Sequence, residues 1–197
     1  MDFTSNSLIP IFPLGRVVFP DSLLRLQIFE QRYLDMVSSQ LAKQQGFGVC
    51  LIKKGFEVGL PAKPFTIGTY VEIIDFSQND SGILNIVCQG TQRFQINNLE
   101  TMPNQLLTAN VSWLEPLPEK ILPDGEDELR NLLKDLSQHP QVDILDIPDK
   151  WNQLGFVMER LSEFLPIQEK QKQAILEISD LNLRQTILYK MLHWLKG

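Results

Sequence analysis

Between Leu8 and about Leu114, apolar residues come in short runs punctuated by Pro, Gly, Asn and Asp, the spacing of a small sheet or barrel. In LLRLQIF, Leu24, Leu26 and Ile28 alternate with Arg25 and Gln27, the period of a strand with one buried face. FGVCLIKKG, FTIGTYVEIIDF, GILNIVCQG, TQRFQINN and LLTANVSWL are further strand candidates rich in Val, Ile, Thr and Phe. SQNDSG reads as a hairpin connection. One helix interrupts the strands: Phe29, Tyr33, Val37 and Leu41 recur at near four-residue spacing, leave Gln31, Arg32, Asp35 and Lys43 outward, and predict an end near Gly46.

The period changes after Leu114. Pro116, Pro118 and Pro123 form a linker-like stretch, and four helical stripes follow. The first is Leu129, Leu132, Leu133 and Leu136; the second is Trp151, Leu154, Met158, Leu161 and Leu165. Pro166 then forces a break before Ile167, Gln171, Ala174, Ile175 and Ile178. The last stripe, Leu181, Leu188, Leu192 and Leu195, begins at Asp180, a candidate N-cap. The pattern predicts an α+β chain: a β-rich part with one embedded helix over residues 1–117, then a helical bundle over 118–197.

At 197 residues the chain can hide enough surface to need neither metal nor disulfide. Its net charge of −6 opposes nucleic acid and anionic lipid, and no basic patch offsets it. Lys170, Lys172, Arg184, Lys190 and Lys196 alternate with acids, as solvated helix faces do. Cys50 and Cys88 sit in apolar runs and read as free, buried thiols. The first residues lack the pattern of a secretory signal, and no stretch is long enough to span a membrane, so a cytoplasmic protein is expected.

The chain carries no phosphate loop, dinucleotide-binding turn, nucleophile elbow or H-E-x-x-H helix, so no catalytic residue, cofactor or metal is expected. His139 and His193 read as helix-end residues, and DFSQNDSG lacks the Gly and Glu of a calcium loop. The acidic run Asp124–Glu128 reads as a helix start.

IPIFPLGRVVFPDSLLRLQIFEQRYLDMV, followed by FGVCLIKKGFEVG, IGTYVEI and GTQRFQI, resembles the substrate-binding N-terminal domain of the bacterial ATP-dependent Lon protease, particularly its stand-alone relatives. LSEFLPIQEKQKQAILEISDLNLRQTIL is similar to the downstream part of those relatives, so the resemblance spans nearly the whole chain. Where relatives commonly have F-P-G this chain has Phe19-Pro20-Asp21, and where they often carry Pro it has Arg25. The resemblance implies a PUA-like pseudo-barrel joined to a helical bundle, and polypeptide recognition without the ATPase and protease modules. The expected partners are unfolded or extended polypeptide segments, with a protease or chaperone receiving them. Glu30, Arg32, Tyr33 and Arg93 are the binding candidates that the family motifs single out, as charged and phenolic groups able to face a gap between the two parts. Such groups also commonly satisfy local backbone atoms or one another. The competing readings are a PUA-like sensor of a small molecule or RNA, and an enzyme of unrecognised type.

Overall fold

The computed structural model describes residues 7–78, 83–122, 127–138 and 150–196. The tip of SQNDSG, most of the acidic run from Asp124, and His139 lie outside the described residues. The chain divides into two compact units, Met1–Leu114 and Glu115–Gly197, and the fold is α+β.

The first unit holds strands β1 (Ser7–Leu14), β2 (Leu23–Ile28), β3 (Phe47–Lys54), β4 (Lys63–Pro64), β5 (Ile67–Gln78), β6 (Leu84–Thr101) and β7 (Leu107–Trp113), with helix α1 (Gln31–Lys43) between β2 and β3. The sheet runs β1-β7-β6-β5-β3-β4, and a parallel pairing of β1 Ile11–Leu14 with β3 Gly48–Leu51 closes five strands into a ring. β2 lies outside that ring, antiparallel to the first half of β6, from Leu23 opposite Gln89 to Ile28 opposite Leu84. Gln78 pairs with Leu84, so SQNDSG does join a hairpin.

GILNIVCQG and TQRFQINN, two strands by pattern, form one strand, β6. The reason is a bulge: Val71 faces Gly90 while Thr69 faces Arg93, so β6 carries an extra residue there. An odd insertion exchanges the two faces of a strand. Before it, Ile86 and Cys88 enter one core with Phe12, Leu24, Val37 and Phe47; after it, Phe94 and Ile96 enter a second core with Ile9, Ile11, Tyr70 and Val111. β1 splits the same way, Ile9 and Ile11 to the second core, Phe12 and Leu14 to the first. Phe94 fits because two facing positions lack a Cβ: one on Gly48 would lie 2.6 Å from Phe94 Cζ, and one on Gly68 would lie 2.9 Å from it.

α1 buries Arg32, Tyr33, Met36, Val37 and Gln40. Two details differ from the periodicity. Phe29 precedes the helix and is exposed, and Arg32 points inward rather than to solvent. The helix ends with Gln44 in the left-handed conformation, where Gln44 N donates to Leu41 O and Gln45 N to Gln40 O, the Schellman pattern. Gly46 follows, its N–H donating to Tyr70 Oη at 2.5 Å and its carbonyl accepting from Gln40 Nε2.

The second unit contains α2 (Asp127–Ser137), α3 (Leu154–Phe164), α4 (Glu169–Glu177) and α5 (Leu181–Lys196). α3 packs against α2, α4 and α5. Its core joins Leu129 and Leu133 to Leu154, Val157, Met158 and Leu161, and to Leu181, Leu188 and Leu192. Asp180 caps α5, its Oδ1 accepting from Leu183 N at 2.7 Å. Arg184 does not lie on a solvated face. It is fully buried, donating to Glu159 Oε1 at 3.0 Å and to the Ile178 carbonyl at 2.6 Å at the end of α4.

Candidate functional site

A strand that turns into a helix within three residues leaves a notch beside the junction. Between Ile28 and Gln31 the chain passes from β2 to α1, and the notch is a cavity of about 290 Å³. Phe12 and Leu14 of β1 line it, with Arg25 to Ile28 of β2, the junction residues Phe29 and Glu30, Tyr33 of α1, and Glu57 and Val58 of the loop after β3.

That loop is held in place by backbone geometry and by one carboxylate. Gly55 and Gly59 have φ of 108° and 98°, a region open to glycine at little cost. Between them, Glu57 Oε1 accepts from Gly15 N at 2.6 Å, tying the loop to the end of β1. The loop presents Phe56, Val58 and Leu60 to solvent, and Phe29 is 59% exposed. Large apolar side chains left in water within one short loop and at the cavity rim mark a surface that gains by being covered. Fully burying such a side chain is worth about 1.5–3 kcal/mol.

The polar groups of the site are arranged around Tyr33. Its ring lies 4.3 Å from that of Phe12, and the Arg32 guanidinium sits 4.7 Å from its centroid. Arg32 donates to Glu30 Oε2 at 2.8 Å and to the Gln105 carbonyl at 3.1 Å. Burial pushes the Tyr33 phenol above its ordinary value; Arg32 opposes that rise and Glu30 adds to it. The phenol is therefore neutral at pH 7, able to donate and accept hydrogen bonds.

Of the residues singled out from the sequence, Glu30 and Tyr33 line the cavity and Arg32 is joined to both. Arg93 lies elsewhere, buried on β6 opposite Thr69. Pattern reading missed Phe29, assigned to the helix face, and Val58, which sits in FEVG beside a glycine; that glycine was the available signal of a loop. Both thiols are buried, which raises Cys50 well above the thiol range and pushes Cys88 up to about 12, so neither is a ready nucleophile. Among the described residues, no cluster of three or more His, Cys, Asp or Glu is placed to hold a metal, and no helix is long and apolar enough to cross a membrane.

Residues 8–194 match the family described as the ATP-dependent protease La (LON) substrate-binding domain. The structure is similar to the crystal structure of a Lon N-terminal domain protein from Xanthomonas campestris, with TM-score 0.77 and 31% identity over 95% of this chain and 98% of that one. It also shares its fold with the N-terminal domain of the Mycobacterium avium complex Lon protease, with TM-score 0.63 and 17% identity over 93% and 97% of the two chains. The Lon protease of Parabacteroides distasonis is 28% identical over an alignment 188 residues long that covers 89% of this chain and 22% of that protein. The chain thus spans about a fifth of the length of that curated relative.

Proposed function

The chain belongs to the Lon substrate-binding domain family, and from that premise we propose that it captures exposed apolar segments of other polypeptides at the cavity between β1, β2 and α1. The observation that carries this reading is the exposed pair Phe29 and Val58 on the rim of an apolar-walled cavity. A client side chain entering there meets Phe12, Leu26 and Ile28 on the walls and the neutral Tyr33 phenol. No step of bond chemistry is assigned: the reading is recognition, with a separate protease or chaperone receiving the client. A cytoplasmic setting accords with two unpaired, buried cysteines.

The test is fluorescence anisotropy of a labelled, permanently unfolded polypeptide against the wild-type chain, Phe29→Ser and Val58→Ser. Both residues are exposed, so folding should be unaffected. Losing about 2 kcal/mol of apolar burial weakens binding roughly thirtyfold. Saturable wild-type binding that survives added salt, lost in both variants, supports the reading. Salt-sensitive binding of single-stranded RNA, with no polypeptide signal, overturns it in favour of the RNA sensor.

A further inference from the structure

Resting on that reading, we propose that the client is held as an added β-strand along the open edge of β2, recognised through its main chain and through alternate apolar side chains. β2 pairs with β6 and, among the described residues, with no other strand. The hydrogen-bond register shows which of its main-chain groups turn outward. Gly90 N donates to the Ser22 carbonyl at 2.9 Å, so the Ser22–Gly90 level is a hydrogen-bonded one. Bonded and non-bonded levels alternate in an antiparallel pair. Leu24, Leu26 and Ile28 are therefore the residues that exchange bonds with Cys88, Ile86 and Leu84. Leu23 and Gln27 direct their N–H and C=O groups away from β6.

The cavity lies along this edge at Gln27. Four consecutive β2 residues, Arg25 to Ile28, line it, whereas a cavity on one face of a strand would take every second residue. Phe12 and Leu14 of β1 also line it. An exposed strand edge is a template for another strand, and proteins ordinarily shield it. Here it borders a cavity with apolar walls, the arrangement that strand addition uses.

The two faces of β2 fix the occupant's side-chain pattern. Leu24 and Ile28 face the core, while Arg25 and Gln27 are exposed. An added strand shares this pleat, so one set of alternate residues lies toward Phe12, Tyr33 and Phe29, and the other lies beside Arg25 and Gln27. The occupant is an extended segment alternating apolar with polar residues. Arg25 borders those polar positions while Glu30 is paired with Arg32 and Glu57 is tied to Gly15 N, so uncharged polar residues such as Thr suit them.

The experiment uses a short fluorescein-labelled peptide alternating Val or Leu with Thr, and a series in which one backbone nitrogen at a time is methylated. Methylation removes a donor and blocks the edge without changing side chains. Strand addition predicts a weakening of about tenfold or more at every second position and little change at the intervening ones. On the protein, Gln27→Pro removes an outward N–H at an edge position that tolerates proline, and predicts the same loss. Gln27→Ala predicts retained binding, and circular dichroism checks both folds. Uniform tolerance of methylation, with binding still lost in Phe29→Ser, overturns strand addition and leaves apolar capture standing. Absence of binding by both the unmethylated peptide and the unfolded polypeptide overturns both.

Discussion

Replacing Glu159 with Leu strips the fully buried Arg184 of its counter-ion. The pair is 3.0 Å apart, and Glu159 is itself only 7% exposed. Burial drags Arg184 below its ordinary pKa, and the charge and hydrogen bond of Glu159 pull it back. At an effective dielectric of about 20, two charges about 4 Å apart attract by about 4 kcal/mol. Removing one partner of such a buried pair leaves an uncompensated charge, typically costing about 3–5 kcal/mol. Arg184→Met also removes the charged hydrogen bond to the Ile178 carbonyl at the end of α4, which has no basic residue in its last turn, adding about 1.5–3 kcal/mol. The double variant escapes the stranded charge, so its loss should be smaller than the sum of the singles by about 2 kcal/mol or more. Urea unfolding followed by far-ultraviolet circular dichroism, which reports the helices, closes this double-mutant cycle. Single losses below about 1 kcal/mol, or strict additivity, would refute the reasoning.

Three further outcomes are expected. Gly48→Ala places a methyl 2.6 Å from Phe94 Cζ and 2.8 Å from Ile11 Cδ1, so the barrel core must shift at a cost of about 1–3 kcal/mol, measured by urea unfolding of the first unit. Asp21 has φ 59°, so Asp21→Val should lose about 1–2 kcal/mol of stability, whereas Asp21→Gly stays within about 1 kcal/mol of wild type because relieved strain offsets added chain entropy. The Cys88 thiol, held at about 12 in the fold against an ordinary 9.0, binds its proton more tightly folded than unfolded. Its contribution is therefore intact below about pH 9 and lost as pH rises toward 12; thermal melts across that window should fall less steeply for Cys88→Ala than for wild type.

The strands were legible where one face is buried, as in LLRLQI, and α5 was legible from Asp180. The long β6 was not, because Gly90 carries the composition of a stop while it borders a bulge within one continuous strand. Arg32 and Arg184 were read as solvated because a hydrophobic period scores every charge as outward; ion pairs with Glu30 and Glu159 let both turn in. The ring closure of β1 on β3 joins residues far apart in sequence and leaves no local signal. Family motifs drew attention to Glu30, Arg32 and Tyr33. The loop residues Phe56, Val58 and Leu60 resemble core residues in the sequence, and only the neighbouring Gly55 and Gly59 hint at exposure.

The central claim, polypeptide capture at the cavity beside Phe29 and Val58, is tested most directly by mapping amide chemical shifts of the labelled chain during titration with the alternating Val/Thr peptide. The account predicts shifts concentrated at Gln27 to Tyr33, Leu14 and Glu57 to Val58, saturating with the peptide and abolished in Phe29→Ser. Saturable shifts confined to other surfaces, or persisting unchanged in Phe29→Ser, would contradict it.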